Sequence, residues 1–248
     1  MIEIREVSKS YLGKPIIENL SLTIPDNTVF GFLGQNGAGK TTTMKMMVGL
    51  ASPDSGSISI DGRSVDQSET RRNLGFMPEA PYFYDRLTGL EFLIFCGELF
   101  GLPASEQERY EDILRSINLH HARDAKIATY SKGMKQRLGF AQALVNDPQY
   151  IFLDEPLDGL DPLGRKEIKE IIKSLKAAGK TVFFNSHILY DTEELCDQIG
   201  IIDKGQLLYI GPVQEFCKGQ SLEVSFVKLI EATRQEKTEE KISEPANL

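Results

Sequence analysis

The chain has 248 residues, of which 41% are hydrophobic and 26% charged, the composition of an ordinary globular protein. A formal net charge of −8 argues against a nucleic-acid partner, because proteins that grip a phosphodiester backbone show a basic surplus. The longest apolar run, LEFLIFC (90–96), falls far short of the roughly 18–20 residues a spanning helix needs, and no N-terminal stretch reads as a signal peptide, so any work at a membrane calls for a separate anchor.

In chain order, MIEIREV alternates as a strand, SLTIP leads to the turn Asp26-Asn27, and TVFGFLG is a short apolar strand ending in glycine. Residues 39–50 read as a helix. The turn SPDSG, the strand SISIDG and the strand NLGFM follow, and then the aromatic loop EAPYFYDR. Thr88 with Glu91 three places on forms a capping-box pattern, which predicts a helix over 88–100. Further helices are expected over 105–118 and 131–146. YIFLD (150–154) is wholly apolar up to its aspartate, as in a strand covered by helices on both faces. A helix over 162–178, the strand TVFFNS, a helix over 189–196 and the pair IGIID and QLLYIG joined at Lys204-Gly205 complete the pattern. Strands alternating with helices predict an α/β protein with a largely parallel sheet, and the helical stretch of about 80–145 reads as an insertion. From Glu231 the polar tail is expected to be disordered or a solvated helix. Cys96, Cys196 and Cys217 lack paired or metal-type spacing and read as reduced thiols, buried or incidental, as in a cytoplasmic protein.

The most informative stretch is GQNGAGKT (34–41), which fits G-x-x-x-x-G-K-[ST] between a strand and a helix. Glycines let successive backbone N–H groups point into one concavity, and the helix behind adds its positive dipole end. Lys40 can reach β- and γ-phosphates, and the Thr41 hydroxyl can ligate Mg²⁺. YIFLDE supplies the partner carboxylates: Asp154 for Mg²⁺ and Glu155 to polarise an attacking water.

With these residues in hand, the chain resembles the nucleotide-binding domain of ABC transporters over about residues 2–218. GQNGAGKTT looks like the Walker A loop, YIFLDEP the Walker B strand, YSKGMKQR (130–137) the ABC signature, LDGLDP the D-loop, and NSH the end of the switch-histidine strand. The resemblance implies a P-loop NTPase core of RecA-like type, an N-terminal antiparallel β subdomain and an inserted α-helical subdomain. The ATPase domain would occupy 1–220, with a C-terminal helix and polar tail over 221–248. It implies that Gly34, Asn36, Gly37, Ala38, Gly39, Lys40, Thr41 and Thr42 bind ATP, that Tyr11 stacks on adenine, and that Glu155 and His187 are catalytic. It further implies a head-to-tail dimer, homomeric or heteromeric, in which Ser131 and Gly133 of one subunit meet the ATP of the other. Asp161 belongs to the D-loop.

Three positions depart from the family pattern. Lys132 and Met134 stand where LSGGQ has its first glycine and its glutamine. Met134 shares a helix face with Leu138, Ala141 and Val145 and is expected to pack there; Lys132 either brings charge to the phosphates or points into solvent. Lys135 and Arg137 read as a solvated or interdomain face, and His120 and His121 as solvated loop residues. Glu79 stands where the family usually has glutamine, and is expected to approach Mg²⁺ with Thr41 and Asp154.

Three readings follow from the resemblance. The first is the ATPase subunit of a transporter, peripheral on the cytoplasmic face of the membrane through a separate permease; Glu79, YSKGMKQR and the short tail most resemble type-2 exporter subunits rather than importers. The second is a soluble ATPase acting on ribosomes or DNA, against which the acidic charge speaks. The third is a non-catalytic nucleotide-gated subunit, against which Glu155 and His187 speak. Tyr82, Phe83 and Tyr84 are expected at the groove where a permease helix docks.

Overall fold

The computed structural model describes residues 1–243; the end of the expected polar tail, 244–248, lies outside the described residues. The chain opens with β1 (Ile2–Tyr11), β2 (Lys14–Ile24) and β3 (Val29–Leu33), then α1 (Lys40–Met47), β4 (Ser55–Ile60), β5 (Arg63–Ser64), α2 (Ser68–Arg71) and β6 (Leu74–Met77). The helices α3 (Gly89–Leu99), α4 (Gln107–Ser116) and α5 (Lys132–Leu144) follow. Next come β7 (Tyr150–Asp154), α6 (Pro162–Ala177), β8 (Thr181–Ser186), α7 (Leu189–Leu195), β9 (Gln198–Asp203), β10 (Gln206–Pro212), α8 (Val213–Cys217) and α9 (Leu222–Ser243).

Two sheets result. One is antiparallel, in the order β2-β1-β4-β5. The other runs β10-β9-β3-β8-β7-β6, parallel except for β10 at its edge. This is the expected α/β architecture, a mostly parallel sheet beside an antiparallel one. Every residue of β3, β7 and β8 is buried, which explains why their sequences do not alternate. Their inner layer is aromatic: Phe30 stacks on Phe183 at 5.6 Å, and Phe152 lies 5.9 Å from Phe183.

Helix ends follow local chemistry. Thr88 Oγ1 accepts from Glu91 N at 3.1 Å, and Thr88 N donates to Glu91 Oε2 at 2.7 Å, so the expected capping box forms. The helix expected over 39–50 stops at Met47, because Gly49 N and Leu50 N turn back onto the carbonyls of Met46 and Lys45. The helix expected over 131–146 stops at Leu144; Asn146 instead donates its amide to the carbonyls of Arg72 and Leu74. The short α8 after Pro212 went unread, since five residues carry too little periodicity.

Three apolar clusters hold the layers. One lies between the antiparallel sheet and one face of the parallel sheet, around Met44, Met47 and Phe183. A second joins α3–α6 to the opposite face through Phe92, Leu138, Ile168 and Phe184. The third packs α8 and α9 against Leu33, Ile199 and Ile201. Leu138, Ala141 and Val145 are buried, with Met134 partly buried against the second cluster, as their shared face predicts. Arg137 pairs with Glu167 of α6, so it ties α5 to α6 within the helical layer. All three cysteines are free thiols, and burial pushes the Cys96 thiol up to about 11.

Two expectations need correction. Phe83 is not at an exposed groove: it is only 8% exposed and packs edge-on against Phe92 at 5.3 Å. Its neighbours Tyr82 and Tyr84 point outward, the former 83% exposed, because the loop alternates about a single inward anchor. His120 is not simply solvated, since its Nε2 lies 3.2 Å from Glu111 Oε2 and 3.0 Å from Arg123 Nη1. The aromatic difference is measurable by urea denaturation: Phe83→Ala is expected to lower the unfolding free energy by about 3 kcal/mol, and Tyr82→Ala by no more than about 0.5 kcal/mol.

Candidate nucleotide site

Parallel pairing sets Leu33 opposite Ser186 and Asp154 opposite Asn185. Three neighbouring strands therefore end together, and the segments leaving them line one cavity of about 580 Å³. Its walls include Asn36, Gly37, Gly39, Lys40, Thr41 and Thr42 from the phosphate loop, together with Glu79, Glu155 and His187. Such gathering at the carboxyl ends of parallel strands is where open α/β sheets bind ligands.

The loop is held from several sides. Gly39 is the N-cap of α1 with φ +111°, and a Cβ there would come 2.4 Å from Ile17 Cδ1. With glycine at the cap, no side chain occupies the first-turn amides, which are left to serve an anion. Lys40 is buried, and its Nζ donates to Gly34 O at 2.8 Å. Ala38, buried beneath the loop, receives a 3.0 Å bond at its carbonyl from Gly205 N in the β9–β10 turn.

Lys40, Glu155 and His187 meet across the cavity. Lys40 Nζ lies 3.8 Å from Glu155 Oε1, while Glu155 Oε2 accepts from His187 N at 3.3 Å and lies 2.9 Å from His187 Nδ1. Glu155 adopts φ +52°, a costly conformation for a residue with a Cβ, and its backbone N donates to Asn185 O at 3.2 Å. Beside it, Asp154 Oδ1 accepts from Asn185 Nδ2 at 2.8 Å and from Thr41 Oγ1 at 3.4 Å. Among the described residues no three acidic, histidine or cysteine groups cluster closely enough to hold a metal by themselves. A hydroxyl beside a carboxylate nevertheless suits a hard cation that keeps most of its water or shares phosphate oxygens. The buried Asn185 Oδ1, which has no partner among the described residues, supplies one further acceptor.

Other expected residues lie elsewhere. Tyr11 does not line the cavity; it is 46% exposed at the end of β1, with the Lys9 ammonium 5.4 Å above its ring. The strand ends shape the cavity's phosphate end, and Ile16 of β2 forms its apolar wall. Ser131 and Gly133 sit at the mouth of α5, outside the cavity of their own chain, where Ser131 Oγ caps the helix by accepting from Met134 N at 3.2 Å. Asp161 caps α6, its Oδ1 accepting from Gly164 N at 2.9 Å. Lys132 is exposed, the second of its two expected courses, and its ammonium lies across Gly159 of the LDGLDP turn, where a Cβ would come within 2.0 Å of it. Lys135 faces Asp85 at 3.5 Å. Gln35, Asp158 and Ile16 line the cavity without having been singled out. The first two stand inside recognised motifs at variable positions; Ile16 gives no local signal.

Fold and loop together define an α/β protein of the P-loop nucleoside-triphosphatase class. The ABC transporter family model matches residues 17–158, more than half of the chain. The chain belongs to the ABC transporter family. It is 46% identical over 208 residues to the ABC transporter ATP-binding protein all4389 of Nostoc sp., covering 83% of this chain but only 62% of that protein. It is 39% identical to the bacitracin transport ATP-binding protein BcrA of Bacillus licheniformis, over 84% of this chain and 68% of that one. A solved structure described as the ATP-binding subunit of an ABC transporter superposes with a TM-score of 0.85 at 31% identity, covering 93% of this chain and 99% of its own.

The Asp154–Asn185 contact offers a check on how the site is held. Asn185→Ala leaves a buried carboxylate without its donor and is expected to cost about 2 kcal/mol in urea unfolding.

Proposed function

We propose that the chain is the ATP-hydrolysing subunit of an ABC transporter, driving a separate integral-membrane permease that exports its cargo. The observation that carries this reading is the convergence of Lys40, Glu155 and His187 on one cavity lined by a glycine-rich loop, with Asp154 bonded to Thr41 of the cavity wall.

In this reading the amides of residues 34–41 cradle the phosphates of ATP, and Lys40 neutralises the β- and γ-phosphates. Thr41 and Asp154 hold Mg²⁺, with Glu79 approaching it from the loop after β6. Bound there, the ion supplies charge stabilisation at the β- and γ-oxygens. Glu155 takes a proton from water as its oxygen attacks the γ-phosphorus; the bond to the bridging oxygen breaks, releasing ADP and phosphate. The His187–Glu155 contact orients both groups, leaving the imidazole placed to bond the γ-phosphate.

A single chain leaves the γ-phosphate side of the cavity open, which supports a dimer. Ser131 and Gly133 face outward at a helix N-terminus of 13 residues. The partner subunit's Ser131 and the partner subunit's Gly133 would close the site by donating to the γ-phosphate. Tyr11 would meet adenine beyond the phosphate end, and Asp161 anchors the D-loop at the same interface. Closure on ATP and reopening after hydrolysis would move the permease.

An apolar groove of about 220 Å³ between α3 and the parallel sheet supports docking of a permease helix. Leu50, Leu99 and Phe100 line it and are exposed, with Tyr82 and Tyr84 on the same helical layer. No helix among the described residues is long and apolar enough to cross a membrane, consistent with a peripheral subunit held at the cytoplasmic face by its permease. Export is supported by likeness to a bacitracin transport protein and by Glu79 and YSKGMKQR.

Two measurements test the chemistry. Glu155→Gln is expected to lower kcat for ATP by at least about 100-fold while retaining ATP binding and accumulating an ATP-bound dimer on size-exclusion chromatography. Hydrolysis at the wild-type rate would remove Glu155 as the base. Glu79→Gln is expected to raise the Mg²⁺ concentration at half-maximal activity severalfold, since one anionic oxygen near the ion is lost; coincident titration curves would remove Glu79 from the metal.

A further inference from the structure

The C-terminal helix α9 meets the rest of the chain along one stripe. Leu222, Phe226 and Ile230, four residues apart, are buried in the cluster that also holds Leu33, Ile199 and Ile201. Arg234 is the next step on that stripe. Its Nη2 donates to Gln35 Oε1 at 3.1 Å, and Gln35 is both a phosphate-loop residue and part of the cavity wall. A helix anchored in the third cluster thus also meets, at Gln35, the loop that cradles the phosphates.

Three further holds act on the backbone of this loop, beside the bond of the Thr41 side chain to Asp154. Gly205 N bonds Ala38 O, Lys40 Nζ bonds Gly34 O, and Ala38 N bonds Gln35 O at 3.0 Å. Arg234 takes the Gln35 side chain, at the outer rim. A loop whose amides are already aimed loses less freedom when an anion binds, so each hold on the loop adds to affinity. Guanidinium suits the task, because its planar fork keeps a fixed geometry that an ammonium does not.

We propose that Arg234 is a positioning residue for the phosphate loop: by holding Gln35 it couples α9 to the nucleotide site and raises its affinity for a nucleoside triphosphate. This rests on the nucleotide-site reading given above. It makes α9 a means by which anything that binds or displaces the C-terminal helix can tune nucleotide affinity.

The test uses the full chain and ATP with Mg²⁺, in Arg234→Ala, Gln35→Ala and the double variant, together with amide hydrogen exchange of residues 35–39 in nucleotide-free protein. Each single variant is expected to raise KM about fivefold with kcat changed less than about twofold, and the double variant no more than either single. Exchange in Arg234→Ala should quicken severalfold, and Arg234→Lys should recover only part of the wild-type KM. Unchanged KM in Arg234→Ala, or effects that multiply in the double variant, overturn the proposal. A raised KM with unchanged exchange also overturns it, since Arg234 would then act on the nucleotide directly. If the wild-type chain turns over no ATP, the nucleotide reading fails by itself; the exchange rates then decide whether Arg234 holds the loop.

Discussion

Backbone pairing of β7, β8 and β3 sets Asp154 opposite Asn185 and Leu33 opposite Ser186, and the functional surface depends on this register. A shift of one residue would turn every side chain to the opposite face of the sheet. The phosphate loop, Glu155 and His187 would then no longer share a cavity, nor would Asp154 meet Thr41. The aromatic layer of Phe30, Phe152 and Phe183 packs in this register, and close packing favours it over a shifted one. The core and the site are thus one construction: buried strands fix where their polar ends emerge.

Those polar ends are held in compensating contacts. Lys40 and Glu155 are both largely buried, and isolated charges there would be costly. Their proximity, with His187 on the other carboxylate oxygen, spreads the charge across the cavity. Glu155 bears a left-handed backbone conformation, and the Asn185 carbonyl that accepts its amide holds it in place. A triphosphate with a cation would enter a region already ordered by paired charges, where positioning and electrostatics do most of the catalytic work.

The helical layer divides its aromatic residues between two tasks. Phe83 anchors the loop after β6 against Phe92, and this anchor fixes the outward course of Tyr82 and Tyr84. Arg137, paired with Glu167, ties α5 to α6 within that layer. Lys132 of α5 lies over Gly159, so the mouth of α5 and the LDGLDP turn are neighbours within one subunit.

Much of this was legible in the sequence, because the signals are local. The wholly apolar runs YIFLD and TVFFNS end in polar residues where strands end; GQNGAGKT carries the glycines an anion loop needs; Thr88 with Glu91 announces a helix start. Residue order alone determined the α/β class and the glycine-rich loop, and put Asp154 and Glu155 at the end of an apolar strand. Three-dimensional packing alone decided that Phe83 turns inward while Tyr82 does not, that Ile16 walls the cavity, that Tyr11 stands outside its phosphate end, and that Arg234 reaches Gln35. These outcomes depend on contacts between residues far apart in the chain. Hydrophobic period and turn chemistry describe only a few neighbouring residues, so they are silent on which distant surface a side chain will meet.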